Sequence, residues 1–180
     1  MRVRCAREML IDELESDGRL NSRTLSMQYD DWMRSASFST VVAEAVSSQF
    51  EILERNGSAL LLFHLTCGGN LKHEDWLVIV DALSVDMHWE CRLNICNSLV
   101  RRRDVFDDLN VEFAAFLRAC AVARSSFLRA FGMSAFWALA TRYPDYEDEA
   151  LEIRERGRRD HAKCVVIRMR HLTQVSHFGA

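Results

Sequence analysis

A single proline, Pro144, interrupts 180 residues, and only seven glycines accompany it. A chain so poor in backbone breakers has few places for the frequent tight turns that a β-sandwich or barrel demands. Apolar residues recur instead at helical spacing. In "CAREMLIDELE" (5–15) Met9, Leu10 and Leu14 share a face, and in "LSMQYDDWMR" (25–34) Leu25, Tyr29, Trp32 and Met33 do the same. Strict apolar–polar alternation is nowhere sustained, so the sequence predicts an all-α fold without a sheet.

Further helices follow. A serine-rich break at 35–39 precedes a helix predicted over 40–55, with Asn56-Gly57 as its C-terminal stop. "SALLLFHLT" reads as a short buried helix ended by Gly68-Gly69. Beyond it the pattern becomes pairwise, with helices predicted at 74–84 and 88–102, 108–123 and 125–142, and 145–156 and 158–176. Short connections make each pair an antiparallel hairpin. Pro144, Asp145, Glu147, Asp148 and Glu149 mark a helix start, where proline fits the first turn and carboxylates meet the positive end of the helix dipole.

The second helices of these pairs align. "CRLNICNSL" from Cys91, "LRAFGMSAF" from Leu128 and, more loosely, "IRMRHLTQV" from Ile167 each place an arginine after an apolar residue. Arg92, Arg129 and Arg168 thus recur at nearly equal intervals of just under forty positions. That period, with two helices per unit, is a solenoid spacing. In the first of these helices Trp89, Leu93, Cys96 and Val100 line one stripe, widened by Ile95 and Leu99, which needs neighbours on both flanks. "DMHWECRLNICNSL" (86–99) resembles the turn and second helix of a HEAT-like (armadillo-type) repeat. Asp86 falls on the family's inter-helix aspartate, Cys91-Arg92 on its Val-Arg pair, Ile95-Cys96 on its small pair and Leu99 on its leucine. The second unit has "AVARSS" where that aspartate would stand, and the stretch 1–70 matches no repeat. The resemblance implies an α-solenoid, an α-α superhelix of antiparallel pairs. It implies one domain over 1–180, with an irregular helical cap at 1–70 and about three HEAT-like pairs at 71–180. It also implies a ladder of Asp86, Arg92 and Arg129 tying adjacent units.

Function is less directly written. Formal net charge is −3, but 51–100 carries 3 basic against 7 acidic residues and 151–180 carries 7 against 3. Early acids at Glu8, Asp12 and Glu13 break any apolar leader core, and "ALLLFHLTC" (59–67) is too short to cross a bilayer. A cytoplasmic protein with reduced cysteines is expected. His-x-x-Cys occurs at His64–Cys67, His88–Cys91 and His161–Cys164, which offers half-sites for zinc; core cysteines are the preferred account. Arg156, Arg159, Lys163 and Arg170 form a rough basic stripe. It could hold nucleic acid in the manner of helical-repeat DNA glycosylases, or salt-bridge the acidic helix before it. Arg101, Arg102 and Arg103 lie at a helix C-terminus, where cations are favoured.

No nucleophile elbow or phosphate loop stands in the chain, and no cofactor is expected. The expectation is a non-enzymatic module that binds another protein along a groove lined by its second helices. An immunity protein or antitoxin gripping a toxin domain is one such module. Asn94, Asn97, Arg101, Ser134, Arg170 and Thr173 are the predicted groove residues.

Overall fold

A computed structural model describes residues 6–16, 18–83, 86–107 and 109–175. Among them are ten α-helices, two short 3-10 turns and no strand. The helices are α1 (Ala6–Leu14), α2 (Ser22–Met33), α3 (Phe38–Val46), α4 (Glu51–Thr66), α5 (His73–Ala82), α6 (Trp89–Arg101), α7 (Asn110–Ala121), α8 (Ser126–Ala140), α9 (Glu147–Arg158) and α10 (Lys163–Val175). None of the helices among the described residues is long and apolar enough to cross a membrane. The chain divides into two compact units, Met1–Asn94 and Ile95–Ala180. The boundary falls inside α6, where no glycine- or serine-rich linker marks it.

The predicted helix over 40–55 is two helices. Serines 47 and 48 mark the break: the Ser48 hydroxyl takes an amide that a continuous helix would bond internally, and the Ser47 hydroxyl ties the end of α3 to α5. Ser47 Oγ donates to the Val78 carbonyl at 3.1 Å, and Ser48 Oγ accepts from the Phe50 amide at 3.1 Å. Helix α4 then runs straight through Asn56-Gly57, so this dipeptide is not a C-cap. Gly57 sits mid-helix, where α4 crosses α3. A Cβ there would lie 2.7 Å from Ala45 Cβ and 2.9 Å from the Val46 amide nitrogen. Close approach of two backbones, not chain termination, is what this glycine permits.

In the first unit α1 packs on α2, α3 and α4, while α3 packs on α4 and α5. Leu10, Leu14, Val42, Leu60, Leu61 and Ile79 are fully buried. Asn21 caps α2, its Oδ1 accepting from the Arg23 and Thr24 amides at 3.0 Å each. His64 is buried between Tyr29 Oη, 2.7 Å from Nδ1, and the Asn70 carbonyl, 3.1 Å from Nε2, and it braces the Gly68-Gly69 turn.

In the second unit α8 is the central element, packing on α7, α9 and α10. It buries twelve of its fifteen residues, so it must be covered on several sides. Ser125 caps it. Gly132 repeats the device of Gly57: a Cβ would lie 2.7 Å from Cys120 Cβ and 2.8 Å from its carbonyl carbon. Pro144 opens a 3-10 turn leading into the acidic first turn of α9, as the charge pattern predicts.

The spacing of elements is regular. From α3 onward the first helices of successive pairs begin at 38, 73, 110 and 147, steps of 35, 37 and 37. The second helices begin at 51, 89, 126 and 163, steps of 38, 37 and 37. Helices α3 and α4, within the stretch read from sequence as an irregular cap, share the register of the later pairs.

Candidate functional site

Second helices supply most of a pocket in the first unit. Arg55, Asn56 and Ala59 project from α4, and Trp89, Glu90, Leu93 and Asn94 from α6, with Arg19 and Leu20 completing the wall. Both helices contribute residues four apart, which lie on one face. The space is about 240 Å³. Pockets that enclose whole small molecules hold roughly 300–1,000 Å³, so this one suits a single inserted side chain. Trp89, 44% exposed, with Leu93, Leu20 and Ala59, makes the apolar surface.

Hydrogen bonds fix that wall in place. The Asn56 amide nitrogen donates to the carbonyls of Leu14 at 3.0 Å, Gly18 at 3.1 Å and Ser16 at 3.4 Å, and its oxygen accepts from the Leu20 amide at 3.2 Å. Asn94 Nδ2 donates to Ser58 Oγ at 3.1 Å, and Ser58 donates on to the Arg55 carbonyl at 3.0 Å. At the rim the Glu90 carboxylate, 16% exposed, lies 2.7 Å from Arg19 Nη2 and 3.8 Å from Arg55 Nε. The site can therefore hold an apolar group and meet polar or charged groups around it.

Of the predicted groove residues, Asn94 lines this pocket and is half-buried. In the second unit Asn97 is half-buried, and Arg101 and Arg170 are exposed. Ser134 is a correction: it is 2% exposed, donates to the Ala130 carbonyl at 2.8 Å and accepts from Arg168 Nε at 2.6 Å. A polar residue at that position faces the neighbouring helix rather than solvent. The Thr173 side chain lies outside the described residues. Trp89 and Leu93, which periodicity places in the core stripe, are pocket walls. Their sequence signal is slight, a tryptophan and a leucine one turn apart beside Glu90 and Asn94.

Among the ladder residues, Asp86 is exposed and Arg92 half-buried. Arg129 is tied most completely. Its Nε and Nη2 donate to both Asp160 oxygens at 2.9 Å, and its Nη1 donates to the carbonyls of Ala123 at 2.9 Å and Arg124 at 2.8 Å. Arg129 holds the Asp160 carboxyl below the usual range. This aspartate sits between α9 and α10, so the arginine of one helix pair is clamped to the turn of the next. Elsewhere in this unit Arg118 pairs with Glu149 and Arg142 with Asp107.

The His-x-x-Cys pairs do not assemble. Both His64 ring nitrogens are engaged, and Cys91 is fully buried, its thiol pushed up to about 12 chiefly by burial. Among the described residues no group of three or more His, Cys, Asp or Glu is placed to hold a metal ion. In the basic stripe Arg156, Arg159, Lys163 and Arg170 are exposed. Arg156 and Arg159 share a cleft with Glu152, Glu155, Asp160 and His161, while Arg154 and Arg158 pair with Glu155. That mixture of signs differs from the uninterrupted positive track that follows a phosphate backbone.

No family model matches this chain, and no curated protein or solved structure does either.

Proposed function

We propose that this protein is a non-enzymatic protein-binding module, a HEAT-like α-solenoid of the cytoplasm whose second helices form the binding face. The Trp89 pocket carries the proposal. A preorganised apolar recess for one side chain, with a tryptophan wall and a charged rim, is how protein interfaces seat an anchor residue. The even spacing of helix pairs supports the solenoid, because units of this kind cannot bury their apolar faces alone and stack on their neighbours. A toxin domain is the partner favoured by the size and slight acidity of the chain, which would make the protein an immunity protein or antitoxin.

The test is affinity capture of a partner from the native host, followed by titration of the purified partner against wild type and Trp89→Ala. Trp89→Ala should weaken binding by about 2 kcal/mol, near thirtyfold in Kd. Unchanged affinity in both Trp89→Ala and Leu93→Ala would place the interface elsewhere. Co-expression that fails to relieve growth arrest by the captured partner would remove the toxin assignment alone.

A further inference from the structure

Helices α8 and α10 contain Arg129, Lys163, Arg168 and Arg170 and not one aspartate or glutamate. Arg129 finds its carboxylate in a turn outside both helices. Arg168 does not. Its guanidinium carbon lies 3.8 Å from the Phe131 ring centroid, and its Nε donates to Ser134 Oγ at 2.6 Å. Ser134 is in turn held by the Ala130 carbonyl, so the guanidinium plane is fixed from two directions. Among the described residues no carboxylate meets its two terminal amino groups. Partial burial lowers the arginine's pKa, with no neighbouring acid raising it.

A desolvated, immobilised guanidinium with its fork unanswered is a preorganised receptor for a planar anion. Holding the fork in advance removes the side-chain entropy a flexible arginine would lose on binding. The surroundings say which anion. Phe127, 59% exposed, stands one turn before Phe131 on α8, and Ile167, 52% exposed, adjoins Arg168 on α10. The Phe131 ring is already covered by Arg168, while Lys163 and Arg170 of the same helix are exposed to solvent. A phosphate backbone is followed by several cations in a row, each meeting a phosphate. Here the fixed cation is Arg168, with an exposed apolar residue on each of the two helices, and that pattern fits one acidic side chain with apolar neighbours.

We infer that the α8–α10 face of the second unit is a docking site for an acidic segment of a protein partner, with a carboxylate on the Arg168 fork and apolar neighbours on Phe127 and Ile167. The inference rests on the protein-binding proposal but uses none of the Trp89 pocket.

The experiment is selection of a random dodecapeptide library on the immobilised full chain. Peptides that also bind Trp89→Ala are pooled, which removes those seated in the Trp89 recess, and the pool is measured on wild type, Arg168→Gln and Arg168→Lys. It should be rich in Asp or Glu beside an apolar residue. Binding should fall at least about tenfold on Arg168→Gln and by less on Arg168→Lys. Two readouts need no variant: replacing the peptide's acid by its amide should cost wild-type affinity by a similar factor, and bound peptide should shift the Arg168 Nε–Hε proton resonance. A pool without acid enrichment, or one bound equally by Arg168→Gln and in amide form, overturns the site. So does a pool that a single-stranded oligonucleotide displaces through Arg168. Failure of the pocket proposal shows separately, as a captured partner indifferent to Trp89→Ala.

Discussion

Helices α4 and α8 are each the second member of a pair, and each carries a central glycine that brings it against a preceding helix at the same 2.7 Å limit. Around that shared device the two units are held differently. Helix α4 buries Glu54, Asn56, Ser58 and His64, each tied to a named backbone or side-chain group. Helix α8 buries ten apolar or glycine residues and only Arg129 and Ser134 of polar type. Helix α4 adds directional bonds with few substitutes to its buried leucines; helix α8 is positioned by filled volume, with arginine–carboxylate clamps around it.

The largest expected effect follows from that contrast. Asn56→Ala strands three carbonyls and one amide and leaves a hole beside Leu14. It should cost about 3 kcal/mol, a fall in Tm of roughly 6–12 °C. Ser134→Ala removes one hydroxyl from a packed apolar helix and should cost about 1 kcal/mol. Equal losses in thermal denaturation would erase the distinction.

The glycines should behave alike despite their different surroundings. Alanine gains about 1 kcal/mol of helix propensity, yet at both positions its methyl would enter backbone rather than a flexible side-chain tip. Gly57→Ala and Gly132→Ala should each be destabilised by a net of about 2 kcal/mol, read from denaturant midpoints. A stabilised Gly57→Ala would mean that α4 and α3 do not approach as described.

The smallest effect depends on pH. Asp160 binds its proton more weakly in the folded chain than in the unfolded one, because Arg129 donates to both of its oxygens. The unfolded state therefore takes up protons first as pH falls. The stabilisation is complete above about pH 4 and disappears as pH drops through the depressed Asp160 value. Arg129→Met should be less stable than wild type by about 2 kcal/mol at neutral pH, and the gap should narrow in acid to what the bonds to the Ala123 and Arg124 carbonyls contribute. A gap that does not narrow at all would assign the whole loss to those bonds and to packing of the arginine stem.

Much of the fold was legible because helical periodicity survives in single sequences. The later helices, the start of α9 and the near-even spacing of helix pairs all show in apolar spacing, Pro144 and the acidic first turn of α9. What stayed hidden was the partner of each residue. Asn56-Gly57 has the composition of a helix stop, and only the proximity of Ala45 and Leu14 reveals a crossing point and a polar hub. Periodicity puts Trp89 and Leu93 in one stripe with Cys96, which is buried, but an apolar residue covered by a neighbour and one that walls a recess look identical in sequence. Polarity placed Ser134 outward, whereas Arg168, on a helix of the following pair, draws it inward. Nothing in the sequence marks Asp160, since its bond to Arg129 joins a helix to the turn of the following pair.

Glu90 already answers Arg19 and Arg55 at the mouth of the Trp89 recess. An acid brought there by any visitor has to exchange with an internal one, so the Coulomb gain on arrival is offset by a Coulomb loss. Occupancy at that mouth is then nearly blind to the visitor's charge and sensitive to the shape of what it inserts. The resident carboxylate acts as a counterweight, sorting visitors by fit and not by attraction.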